Sequence, residues 1–119
     1  MSNIEIGKYG ENLACEFLIN KGYVIVDRNY KFSRYGEIDI IAKDKDELCF
    51  VEVKTRRTDK FGTPMEAITK DKLLKILSCI KNYTSNTDLK YKRTRIDAIS
   101  IELSEKEPKI THVKNIEIF

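Results

Sequence analysis

The sequence predicts an α/β domain with its elements in the order helix, three strands, helix, two strands. Three observations predict it: a helical apolar period near the start, three β-branched and aromatic runs joined by short turns, and a second helical period ahead of two more such runs. The chain has 119 residues, 41% of them hydrophobic and 34% charged, which suits one domain over 1–119 with no room for a second. At this length a chain buries roughly two thirds of its unfolded surface, so folding requires neither disulfides nor a structural metal.

The first helix is expected from about Ile4 to Lys21, because Ile6, Leu13, Ala14, Phe17 and Leu18 recur at helical spacing and Gly22 follows as a stop. Strands are expected over Tyr23 to Lys31, Gly36 to Lys43 and Leu48 to Arg56, with SRYG and DKDE as the turns between them. Three strands so closely joined are most simply an antiparallel meander. Thr63, Pro64 and Glu66 fit a helix start, and the main helix starts afresh near Thr69, with Leu73, Ile76, Leu77, Ile80 and Tyr83 as its apolar stripe. Thr84 to Thr94 reads as a polar loop. Two strands, Arg95 to Leu103 and Lys109 to Phe119, close the chain around the EKEP turn.

Counts remove several chemistries. The single histidine, His112, is too few for a zincin or histidine-rich zinc site, and no GxSxG elbow supports a serine triad. Gly7, Gly10, Gly22, Gly36 and Gly62 form no phosphate-binding loop. Cys15, Cys49 and Cys79 are odd in number and set in apolar surroundings, as buried reduced thiols would be. No run approaches the roughly 18 apolar residues of a membrane span, and the start lacks a signal-peptide layout, so the expected compartment is the cytoplasm without membrane attachment. Chemistry, if present, falls to carboxylates and lysines.

The period of two in the third strand places Leu48, Phe50, Glu52 and Lys54 on one face, and Cys49, Val51 and Val53 on the other. Asp39 lies between Ile38 and Ile40 in the second strand. Charged groups in such runs must be paired, hydrogen-bonded or bound to an ion. If the two strands pair across DKDE, Asp39 and Glu52 approach closely enough to share a divalent cation, with Lys54 placed to assist a water or the developing phosphoryl charge. Glu11, on the sheet-facing edge of the first helix, can complete the set. The alternative is a cross-strand Glu52–Lys54 ion pair at a solvated edge. Asp97 is expected to pair with Arg95 or Arg93 at a strand end, and His112 to lie at the surface or an edge.

The segments GKYGENLACEFLINKGY, RNYKFSRYGEIDIIAKD, LCFVEVKTRR and FGTPMEAITKDKL, in this order and spacing, resemble the YraN-like family of small bacterial proteins. That family is assigned to the restriction-endonuclease-like, PD-(D/E)xK nuclease superfamily and is similar to archaeal Holliday junction resolvases. The resemblance implies a single restriction-endonuclease-like domain with a central mixed sheet of about five strands flanked by helices. It implies a Mg2+- or Mn2+-dependent nuclease acting on DNA, with the superfamily acid on Asp39, the (D/E)xK pair on Glu52 and Lys54, the first-helix acid on Glu11, and the Val53 carbonyl as a further metal ligand. Ile38 replaces the proline of the superfamily name. Similarity to resolvases also implies a homodimer, since cutting two strands symmetrically calls for two sites.

The basic residues Arg56, Arg57, Lys70 and Lys72 are the expected phosphate contacts, with Lys72 at a family position that is usually basic. Lys60, Lys75, Lys90, Lys92, Arg93 and Arg95 are further candidates. Tyr30, Tyr35, Phe61 and Tyr91 lie among basic residues and suit base stacking or plain packing equally. The rival reading is a nucleic-acid-binding module, catalytically weak or silent, within a repair or recombination assembly.

Overall fold

A computed structural model describes residues 1–32, 34, 36–57 and 69–116. Its elements are α1 (Asn3–Asn20), β1 (Val24–Phe32), β2 (Gly36–Asp44), β3 (Glu47–Arg56), α2 (Lys70–Asn86), β4 (Arg93–Glu102) and β5 (Lys109–Val113). One sheet carries all five strands in the order β1-β2-β3-β4-β5. β1, β2 and β3 form the expected antiparallel meander, β3 and β4 run parallel, and β5 returns antiparallel. The parallel step requires a crossover, and α2 lies in the segment that makes it.

α1 starts earlier than its apolar period suggests because Ser2 and Glu5 form a reciprocal capping box that supplies partners for two backbone N–H groups. Thr69 caps α2, accepting a hydrogen bond from the Lys72 amide at 3.2 Å. The predicted Thr63 start lies outside the described residues, as do Lys60, Phe61 and Tyr35. α2 runs to Asn86, so the polar stretch from Thr84 is one turn of helix before it is a loop. Thr84 and Ser85 hydroxyls return hydrogen bonds of 2.8 Å to the Ile80 and Lys81 carbonyls, satisfying their polar groups within the helix. β5 ends at Val113 rather than continuing: Asn115 takes φ 54° and gives its amide to the Asp97 carboxylate.

The sheet separates two cores. On the α2 face, Ile38, Ile41, Leu48, Phe50, Ile96 and Ala98 pack with Leu73, Ile76 and Cys79. On the α1 face, Ile40, Ala42, Cys49, Val51, Ile99 and Ile101 pack with Ala14, Cys15 and Leu18. The alternation predicted for β3 holds from Leu48 to Val53 but not at Lys54, which lines a cavity on the α1 side whereas Glu52 lines one on the α2 side; all three cysteines are buried free thiols. Leu77 corrects the predicted stripe: it is exposed, and Cys79 takes the inward position. Gly10 lets α1 pass close to β3, since a Cβ there would lie 2.7 Å from Thr55 Cβ.

Candidate active site

Two residues apart on a regular strand, Ile38 and Ile40 would share a face. They pack instead in opposite cores, so β2 changes face at Asp39. The β2–β3 ladder stops at the same point, with Ile40 opposite Val51 as its last pair. Beyond it, Asp39 Oδ2 accepts the Val53 amide at 2.7 Å, a side chain taking the place of the missing backbone partner. The interruption delivers one carboxylate to both sides of the sheet. On the α1 side Asp39 lines a cavity of about 450 Å³ with Glu11, Val53 and Lys54. On the α2 side it lines a second, of about 350 Å³, with Glu52, Asp71, Lys72 and Lys75.

Asp39 and Glu52 line the same cavity, close enough for their charges to interact, as expected from the turn between their strands. Burial, followed by the neighbouring Glu52 charge, pushes the Asp39 carboxyl up to about 8 against the opposing Val53 hydrogen bond. Glu52 is 8% exposed. Its Oε1 pairs with Lys72 Nζ at 2.8 Å, whereas its Oε2 is buried without a hydrogen-bond partner among the described residues.

Glu11 stands at the rim of the α1-side cavity. Arg28 Nη2 holds its Oε1 at 3.1 Å and Asn29 Nδ2 at 3.0 Å. Asn29 achieves this from a left-handed conformation, φ 54°, uncommon for a non-glycine residue inside a strand. Arg28 and Asn29 were not singled out by the sequence, where they read as a basic and a polar residue in RNYK. Their role depends on a contact 17 to 18 positions away, which no local pattern announces.

The predicted residues do not form one cluster. Lys54 is exposed and lines the α1-side cavity, away from the Lys72 that engages Glu52. The expected alternative, a Glu52–Lys54 ion pair, is absent among the described residues. Lys72, expected as a phosphate contact, is instead paired with an acid of the site, Glu52. Lys70 is exposed at the start of α2, Arg56 ends β3, and Arg57 donates to the Met1 carbonyl at 2.6 Å. Tyr30 packs edge-on against Tyr83 with ring centroids 5.0 Å apart, and Tyr91 lies against the α2-side core, so both act in packing.

Asp97 is also placed differently from the expected strand end. It is fully buried in the middle of β4, opposite Val51. Arg95 is its partner, as expected, through two hydrogen bonds of 2.9 and 3.0 Å. His112 is on the edge strand, yet its side chain is only 3% exposed and contacts Asp97 at 2.8 Å. The surface assignment for His112 is thereby corrected: a buried acid needs donors, and the adjacent strand supplies one. Burial would raise the Asp97 carboxyl, but His112, Arg95 and the Asn115 amide together hold it below its ordinary value.

The residues suit a hard divalent cation at Asp39 and Glu52. Two adjacent carboxylates, one with an orphaned buried oxygen and the other resisting ionisation, lack the positive charge that such an ion supplies. No group of three or more histidine, cysteine or acidic side chains gathers with ligand geometry among the described residues. Asp39 and Glu52 are the two acids that share a cavity lining on the α2 side, and Glu11, held by Arg28, shares the α1-side cavity with Asp39.

Comparison with known proteins identifies the family. The sequence profile of the group described as "Uncharacterised protein family UPF0102" matches residues 10–101. A UPF0102 protein of Dictyoglomus turgidum is 48% identical over 106 residues, covering 89% of each chain. That of Clostridioides difficile is 42% identical over 115 residues, covering 97% of this chain and 98% of its own. Another, from Syntrophomonas wolfei, is 39% identical over 113 residues, covering 95% and 97%. The chain belongs to the UPF0102 family.

Proposed function

We propose that this protein is a divalent-cation-dependent nuclease of the restriction-endonuclease-like class, hydrolysing phosphodiester bonds of branched or otherwise structured DNA in the cytoplasm. The observation that carries the reading is Asp39 beside Glu52 at the point where the β2–β3 ladder opens, with Glu52 Oε2 unpartnered. Asp39, Glu52 and the Val53 carbonyl are the residues to hold Mg2+ or Mn2+, which when bound lowers the pKa of water and polarises a phosphoryl oxygen. Lys54, exposed at the mouth of the α1-side cavity, stabilises negative charge on the phosphate. Glu11, fixed by Arg28 and Asn29, orients the attacking water or adds a cation ligand. Arg56, Arg57 and Lys70 extend the phosphate contacts on either side. A homodimer would present one such site to each strand of a junction.

A second reading, a nucleic-acid-binding module that does not cleave, is favoured by one observation: Lys72 already neutralises Glu52. Incubation with supercoiled, linear and four-way-junction DNA separates the two, with Mg2+, Mn2+ or chelator, beside Lys54→Ala and Asp39→Ala. The nuclease reading expects cation-dependent cleavage that falls about 100-fold or more in both variants. Cleavage unchanged in these variants overturns the residue assignments, and salt-sensitive binding without cleavage supports the module.

A further inference from the structure

Glu52 Oε1 is met by a single ammonium, Lys72 Nζ at 2.8 Å, delivered from the first turn of α2. The carboxylate is nine-tenths buried while the lysine side chain is 43% exposed. Its partner is thus held deep and its own stem lies toward solvent. A buried carboxylate left without a positive partner is costly, whereas an exposed ammonium leaving its site is rehydrated. Lysine is suited to such an exchange, being a compact charge on a flexible stem that makes one contact rather than a two-point clamp. The other lysine in the cavity, Lys75, engages Asp71 at 3.4 Å on its own helix and does not touch Glu52.

We infer that Lys72 is the resident cation of this site: its ammonium occupies the Glu52 carboxylate in the absence of a divalent ion, competes with that ion, and on displacement turns to a nucleic-acid phosphate. The inference rests on the proposed cation site and adds what the cation must displace. It also couples the two ligands, because a divalent ion that frees Lys72 raises the affinity for phosphate, and phosphate that captures Lys72 raises the affinity for the ion.

The test is calorimetric titration of the full chain with Mn2+ in the absence of nucleic acid. Lys72→Met tightens Mn2+ binding by about 5- to 30-fold, the range expected for removing one charge-assisted hydrogen bond to a buried acid. Lys75→Met removes the same charge from the same cavity without removing the contact, and shifts the affinity by less than about threefold through screened solvent. Lys72→Arg retains competition. In a Lys54→Ala background with Mn2+, Lys72→Met lowers the salt slope of binding to a short DNA duplex by about 0.9, one phosphate contact, and leaves it unchanged in chelator. Wild-type binding of Mn2+ with Lys72→Met no tighter than Lys75→Met overturns the competition, while the proposed cation site stands. An unchanged salt slope with Mn2+ overturns the transfer to phosphate. Absence of Mn2+ binding in both wild type and Lys72→Met, with circular dichroism showing folded protein, overturns the cation site and this inference together.

Discussion

Replacing Asp39 by asparagine should stabilise the protein, and the gain should grow as pH rises from the ordinary aspartate range to about 8. The folded protein raises the Asp39 carboxyl from 3.8 to about 8, through burial and the charge of Glu52. Between these values the native state therefore binds more protons than the unfolded chain, and stability falls as pH rises through the window. At about 1.4 kcal/mol per tenfold change in proton affinity, a displacement of this size sets a ceiling on the order of 6 kcal/mol. Glu52 shares the repulsion and the cavities admit water, so the expected gain for Asp39→Asn at pH 8.5 is about 1–3 kcal/mol, or roughly 4–10 °C in Tm. The asparagine Oδ1 keeps the Val53 amide bond, which confines the change to the charge. Thermal unfolding followed by circular dichroism at pH 5 and pH 8.5 in chelator measures it: Asp39→Asn slightly ahead at the lower pH and further ahead at the higher. Mg2+ should then stabilise wild type at pH 8.5 and leave the variant unchanged, because a bound cation replaces the proton as the source of positive charge. Equal Tm values at both pH values, or a variant weaker at both, would refute the reasoning.

Other perturbations test neighbouring parts of the structure. Asp97→Ala leaves Arg95 and His112 without their shared carboxylate and should cost about 3–5 kcal/mol by urea denaturation; a loss below 1 kcal/mol would mean that water replaces the acid. Gly10→Ala forces a Cβ to within 2.7 Å of Thr55 Cβ and should destabilise by about 1–3 kcal/mol, read from the urea midpoint. Asn29→Gly relaxes the φ 54° strain but frees one tether of Glu11; stability should hold within about 1 kcal/mol while any cleavage falls, and Arg28→Met should lower cleavage further. Unchanged cleavage in both would remove Glu11 from the site.

The parts of this fold legible in the sequence are those fixed by local periodicity. Leu48, Phe50, Cys49 and Val51 alternate without interruption, and their two faces were assignable from spacing alone. Thr84 to Asn86 misled because their polarity suggests a loop, whereas short hydroxyl and amide bonds to the preceding turn accommodate them in a helix. The juxtaposition of Asp39 and Glu52 was legible because a short turn fixes the register of its two strands. The face change at Asp39, the Arg28–Asn29 grip on Glu11 and the Lys72–Glu52 pair were not, since each depends on tertiary placement of a side chain whose local surroundings look ordinary. His112 shows the same limit: an isolated histidine in an edge strand carries no sign that the adjacent strand holds a buried acid.

Asp97 and Asp39 form an internal comparison that bears on function. Both are aspartates in strands of one sheet, and both are taken largely out of water. Asp97 receives Arg95, His112 and a backbone amide, and its carboxyl is held low. Its stabilising contribution is present above the ordinary aspartate range and is lost as pH falls through its lower folded value. Asp39 receives one backbone amide, faces a second carboxylate, and is held high, so its contribution has the opposite sign over a higher window. A fold that could surround one buried acid with donors has left the other short of them at a break in the sheet, where two cavities meet. An acid serving only the structure would gain stability from another cation, and Lys72, which lines the α2-side cavity with it, engages Glu52 instead. The deficit at Asp39 is the kind that a divalent ion fills and a side chain would obstruct, which is why the Asp39→Asn and Lys72→Met variants should move stability and cation affinity in the directions given above.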